Sequence, residues 1–320
     1  MLTADRMHGV CAMMPAFTTP DGDQVDNRST VNVDELMRAV DQIVRDGVDL
    51  VATTGTFGEL YNLLWEEFQD LTRATVKAVD HRVPCIIGCT SPNPREVIRK
   101  MEFIQESGAD GVILGAPYYM PLTPENAVQF YLDVADCFPS LGIMIYHNPE
   151  FHHVTIPVSG FREFATRPNI VAMKDSHRQV DAFMNIVDIV KGGVSLFVRQ
   201  AQLPAYSPLG AAGCWAIDAW MGPWPLLLLR DACKAGDYET AKRVTLEMGR
   251  VPSTQDLKWR DLVAKLAMND AGYCTAGPLR APFRRIPDAM IEVARARGRA
   301  WRELAERCRA EMTAGALAAR

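Results

Sequence analysis

The sequence predicts a (β/α)8 TIM barrel, residues 1–236, carrying a C-terminal helical extension, residues 237–320. Three observations predict it. Short apolar runs alternate with amphipathic stretches from Val10 to beyond Gly213. Eight such runs can be drawn, the number that closes a barrel. From Asp237 onward the pattern becomes wholly helical, and no Gly/Ser-rich linker precedes it. An open doubly wound sheet is the rival arrangement.

The runs are VCAMMPAF (from Val10), DLVATTG (from Asp49), VPCIIGC (from Val83), GVILGAP (from Gly111), GIMIYHNP (from Gly142), IVAMKDS (from Ile170), VSLFVRQ (from Val194) and GCWAIDA (from Gly213). Each is short and almost continuously apolar, as parallel strands buried on both faces must be. Helical patterns lie between them. In VDELMRAVDQIVRDG, Leu36, Val40, Ile43 and Val44 share a face and Gly47 is a plausible C-cap. NPREVIRKMEFIQESG repeats the design with Pro94 at its start and Gly108 at its end. PENAVQFYLDVADCF follows Thr123, a plausible N-cap. After the eighth run, PWPLLLLRDACKAG reads as a buried helix. DYETAKRVTLEMGRV, KWRDLVAKLAMNDAG and PDAMIEVARARGRAWRELAERCRAEM then read as the extension, packed on the barrel.

Composition narrows the function. The 320 residues are 48% hydrophobic, enough for a large core, and the net charge of −5 comes from interspersed signs. No basic patch suggests a nucleic-acid partner. No apolar run has membrane-spanning length, and MLTADRMHGV lacks the pattern of a signal peptide, so a cytoplasmic location is expected. The eight cysteines (Cys11, Cys85, Cys89, Cys137, Cys214, Cys233, Cys274, Cys308) form no CxxC pair and are expected to be reduced, mostly buried thiols. His147, His152 and His153 have no acidic partner at ligand spacing, so no metal is expected. Neither a phosphate loop nor a strand-linked GxGxxG turn occurs, which argues against a nucleotide cofactor.

Active sites of such barrels lie where strands end. Strand two ends in TTGTFGE, strand four in APYY, strand five in YHNPE and strand six in MKDS, while strand eight carries Trp215 and Asp218. Lys174 is the lysine that closes an apolar strand; the others sit in helical or polar stretches. A desolvated lysine that sheds its proton is a nucleophile toward ketones. The alternative is a structural lysine paired with Asp175 or Glu59. Tyr146, ending the neighbouring strand, is a candidate proton shuttle or a rim residue. Gly55, Thr56, Phe57 and Gly58 form a turn whose free N–H groups suit a carboxylate.

GTFGE, PYY, YHNP and the strand-end Lys174 together resemble the dihydrodipicolinate synthase and N-acetylneuraminate lyase family over nearly the whole chain. The resemblance implies Lys174 as imine-forming lysine, Tyr146 as proton shuttle, Thr56 in the carboxylate turn, Tyr119 as second tyrosine of the relay, and a homotetramer. Phe57 replaces a second threonine of that turn. Phe151 stands where the synthase branch has a carboxylate-binding arginine, which argues for a less polar second substrate. GTFGE, the I-Y-x-N-P-E pattern, Trp215 and DAGYCTAGPLRAPFRRIP are similar to the aromatic hydratase-aldolases acting on trans-o-hydroxy- and trans-o-carboxybenzylidenepyruvate.

That resemblance implies an aromatic 2-keto acid substrate and a covalent imine through Lys174 in place of a cofactor. Water adds to the benzylic carbon, and the C–C bond then breaks to release pyruvate and an aromatic aldehyde. Trp215 or Phe57 would form the aromatic wall, though Trp215 also suits the core of strand eight. Asn148 and Asn269 are candidate contacts to the water or the ring substituent; Asn269 also suits a local cap. A 2-carboxy substituent, slightly favoured, would use His147, Ser176, His177 or Arg199. Two other readings stand: a pyruvate-dependent lyase for an aliphatic or sugar keto acid, and a non-catalytic keto-acid-binding barrel.

Overall fold

The computed structural model describes residues 1–175, 178–254 and 259–318. Eight parallel strands close into a barrel in sequential order. They are β1 (Gly9–Met13), β2 (Leu50–Thr53), β3 (Cys85–Gly88), β4 (Gly111–Gly115), β5 (Gly142–His147), β6 (Ile170–Asp175), β7 (Ser195–Arg199) and β8 (Gly213–Ala216). All eight runs read from the sequence are strands, and β1 pairs with β8 to close the ring. Every residue of β1 to β6 is buried, which explains why these runs show no alternation.

The crossovers are α1 (Val33–Arg45), α2 (Trp65–Val79), α3 (Pro94–Glu106), α4 (Pro124–Cys137), α5 (Pro149–His152), α6 (Gly160–Phe164), α7 (Val180–Val190) and α8 (Leu203–Tyr206). Their starts follow local chemistry. Asn32, Asn93 and Thr123 each accept a hydrogen bond from a backbone N–H three residues on, satisfying a donor that the helix leaves open. Gly47 and Gly108 follow α1 and α3 with positive φ, the left-handed exit that glycine takes without strain.

After β8 the barrel region ends in α9 (Trp224–Ala235), and the extension adds α10 (Tyr238–Arg250), α11 (Arg260–Ala271) and α12 (Asp288–Ala318). Leu226, Leu227 and Leu229 bury the inner face of α9. Trp301 of α12 is fully buried, and its indole N–H donates to the Gly222 carbonyl at 3.0 Å. The extension therefore shares the barrel's core. No helix among the described residues is long and apolar enough to cross a membrane. The cysteines are free thiols; seven are buried and Cys137 is exposed.

Candidate active site

Strand register places the two leading residues side by side. Tyr146 on β5 pairs with Lys174 on β6, both at the C-terminal ends of their strands. Each is 7% exposed, and the lysine Nζ lies 4.7 Å from the centroid of the tyrosine ring. Neither carboxylate considered as a structural partner is bonded to Lys174. Glu59 accepts from Lys265 Nζ at 2.5 Å and Arg280 Nη1 at 2.8 Å. Asp175 lies 3.2 Å from His147 Nδ1 and 2.5 Å from Arg178 Nε. Lys265 lies in a helix, as its stretch of sequence reads, and is buried too, in the interior of α11. Burial pulls its amine down to about 8, against the opposing pull of Glu59. Its three hydrogen bonds, to Glu59, Thr18 and the Ala16 carbonyl, mark a structural lysine.

The turn after β2 is tightly built. Thr54 and Glu59 both have left-handed backbones, at φ 50° and 54°, a costly conformation for a β-branched threonine. The Thr54 hydroxyl holds it by accepting from the Gly88 N–H at 2.8 Å and donating to the Gly88 carbonyl at 3.0 Å. Gly58 is required for closeness: a Cβ there would lie 2.4 Å from the Thr54 nitrogen. The turn sets the Thr56 hydroxyl 3.2 Å from that of Tyr146. Asn148 donates to the same phenol oxygen at 2.9 Å. The Asn148 side-chain oxygen Oδ1 is buried and has no hydrogen-bond partner among the described residues.

Two cavities meet at Tyr146. One, of about 630 Å³, contains Lys174, Phe57, Asn148, Trp215 and Arg199. The other, of about 430 Å³, has an apolar wall that includes Leu60, Tyr61, Tyr118, Trp259 and Phe283. Thr56, Tyr146, Glu150, Phe151, Arg260 and Asp261 line both. Trp215 stacks beside Tyr146, with ring centroids 6.4 Å apart and planes 18° off parallel. On the strand before it, Arg199 is the register partner of Trp215.

The structure thus gathers Lys174, Tyr146, Thr56, Phe57, Asn148 and Trp215 around one cavity, with Gly55 on the adjoining one. It does not gather the rest. Asn269 is exposed, and its amide is spent on both backbone groups of Gly277, so it acts as the local clasp rather than a substrate contact. Tyr119 is 79% exposed and lines neither cavity; Tyr118 takes the inward place. His147 is buried between Asp175 and the Ile156 N–H and lines neither cavity, so it does not reach a ring substituent there. Ser176 and His177 lie outside the described residues.

Several site residues were not foreseen. Asp261 and Arg260 come from α11, whose sequence reads only as part of the extension. His152 packs edge-on against Tyr146, with ring centroids 5.1 Å apart. Burial pushes its imidazole down to about 4, and the charges of His147 and Lys174 act the same way. Among the described residues no group of three His, Cys, Asp or Glu side chains gathers as metal ligands would.

A closed parallel barrel with a lysine and a tyrosine facing a mouth cavity belongs to the large class of barrel enzymes. Within it, the chain belongs to the dihydrodipicolinate synthetase family, whose model matches residues 12–295. It is similar to the trans-O-hydroxybenzylidenepyruvate hydratase-aldolase of Pseudomonas aeruginosa, with 31% identity over 95% of this chain and 94% of the other. It is also similar to the trans-2'-carboxybenzalpyruvate hydratase-aldolase of Nocardioides sp. (strain KP7), with 28% identity over 94% of each. A solved structure described as PhdJ bound to substrate intermediate superposes with a TM-score of 0.91, at 30% identity over 96% of this chain and 98% of that one. The chain is accordingly an enzyme, a carbon–carbon lyase.

Proposed function

We propose that the protein is a Schiff-base hydratase-aldolase that converts an ortho-substituted benzylidenepyruvate to an aromatic aldehyde and pyruvate in the breakdown of polycyclic aromatic hydrocarbons. The observation that carries this reading is the placement of Lys174, bonded to neither nearby carboxylate, against Tyr146 in a cavity walled by Trp215. The names of the relatives that match over nearly their full length support it.

The unprotonated Lys174 amine attacks C2 of the keto acid, and loss of water gives an imine. The substrate carboxylate sits against the Gly55–Gly58 turn, beside Thr56. Tyr146 shuttles protons at the carbinolamine and takes the hydroxyl proton during C–C cleavage. Asn148, on the wall of the Lys174 cavity, contacts the hydrating water. The imine is the electron sink, so no cofactor enters. Arg199, beside Trp215, gives a 2-carboxy ring substituent a cationic neighbour, which favours that substrate over the 2-hydroxy one. The active assembly is a homotetramer, in keeping with the exposed apolar pair Tyr119 and Met120.

Pyruvate with borohydride should add mass at Lys174, and Lys174→Ala should lose both labelling and turnover. Unchanged activity in that variant would reject the mechanism. Side-by-side assays of the two benzylidenepyruvates should favour the 2-carboxy compound. Turnover of aliphatic keto acids alone would move the enzyme to another lyase of the family.

A further inference from the structure

Three carboxylates line the two cavities among the described residues. Glu150 is bonded to Arg260 at 2.8 Å and is exposed. Asp218 accepts from Arg297 at 2.8 Å and from Gln200 at 2.7 Å. Asp261 makes no hydrogen bond and no close ion pair among the described residues, although it borders both cavities and shares one with Lys174. Its neighbour Arg260 is already engaged by Glu150. A half-buried carboxylate left uncommitted beside a nucleophilic lysine needs a use.

Hydration supplies one. Addition of water to a conjugated iminium requires a group that accepts a proton. The Asn148 amide can orient water but cannot hold that proton. We propose that Asp261 is the general base of the hydration step, taking a proton from the water that attacks the benzylic carbon. This rests on the reading of Lys174 as an imine-forming residue acting on an arylidene pyruvate. The water oxygen bonds to C4. The C3=C4 pair moves between C2 and C3, and the C=N π pair moves to nitrogen. Asp261 holds the released proton, then delivers it to C3 as the enamine returns to the iminium. One water is consumed, and Tyr146 is left to serve the later cleavage.

The surroundings of Asp261 suit this work. Burial raises it above the ordinary carboxylate range, so it is a stronger base than a free aspartate. Arg260 on its own helix and Lys174 on β6 pull it back, and Glu150 on α5 pushes it further up. The Tyr61 phenol, in the turn after β2, also feels its charge.

The test compares wild type with Asp261→Asn and Asp261→Glu, in three assays on the full chain. Borohydride trapping of pyruvate reads imine formation. Cleavage of an already hydrated 4-aryl-4-hydroxy-2-oxobutanoate reads the aldol step. Benzylidenepyruvate turnover across pH reads hydration. In Asp261→Asn, trapping and cleavage should stay within about threefold, while benzylidenepyruvate turnover falls about 100-fold or more. The acid limb of kcat/KM should vanish with Asn and return with Glu. Wild-type turnover in Asp261→Asn, or equal losses in cleavage and hydration, would overturn the assignment. A wild type that neither traps pyruvate nor turns over any benzylidenepyruvate would overturn the underlying reading, and this assignment with it.

Discussion

Tyr146 is held from four sides. Lys174 lies over its ring, Trp215 beside it, His152 against its edge, and Thr56 and Asn148 meet its hydroxyl. His152 adds a pH dependence to this arrangement. Its imidazole ordinarily titrates near 6.5 but is held to about 4 in the fold, chiefly by burial. The unfolded chain therefore binds a proton that the native chain refuses between those values. Stability from this group is complete above pH 6.5, declines as pH falls toward 4, and levels below that. The loss amounts to about 3 kcal/mol. Urea unfolding at pH 7.5 and 4.5 should show a larger acid loss in wild type than in His152→Phe; equal losses would show that His152 titrates normally. Lys174 and Tyr146 were legible in the sequence because each ends an apolar run, where a polar side chain stands out. His152 was not, because its stretch reads as a polar loop, and only the turn of α5 brings it back against Tyr146.

At the scale of elements, strands and caps were the most legible part. Parallel strands buried on both faces leave unbroken apolar runs, and Asn32, Asn93 and Thr123 are local signals that need no tertiary context. The turn after β2 was legible as a glycine-bearing anion cradle, but its mechanical support was not. Glu59 closes the turn with a left-handed backbone and is gripped by Lys265 and Arg280, more than 200 positions later. Arg280 also donates to the Thr30 hydroxyl and to the carbonyls of Ala16, Phe17 and Thr30, tying the loop after β1 to the same point. Pairing at such separation leaves no periodicity or spacing in the sequence. Asn269 is a different case: its partner Gly277 is only eight residues away, and the fold uses the local cap read beside the substrate contact.

At the scale of the whole molecule, the extension completes the barrel mouth instead of merely covering it. Lys265 and Arg280 neutralise Glu59, Arg297 neutralises Asp218, and Arg260 and Asp261 line both cavities. A buried ion pair that loses one side leaves an uncompensated charge costing about 3–5 kcal/mol. Ending the chain at Gly236 would strand Glu59 and Asp218 together and uncover the buried Trp220 and the apolar face of α9. Two such losses rival the whole stability of an ordinary domain, about 5–15 kcal/mol. The 1–236 fragment should therefore show no cooperative thermal transition and trap no pyruvate with borohydride, while the full chain does both. Calorimetry and mass spectrometry on the two chains decide the matter. A fragment that melts cooperatively and labels at Lys174 would mean that the barrel holds its catalytic turn unaided. The ion pairs to Glu59 and Asp218 would then be attachments of the extension rather than supports of the site.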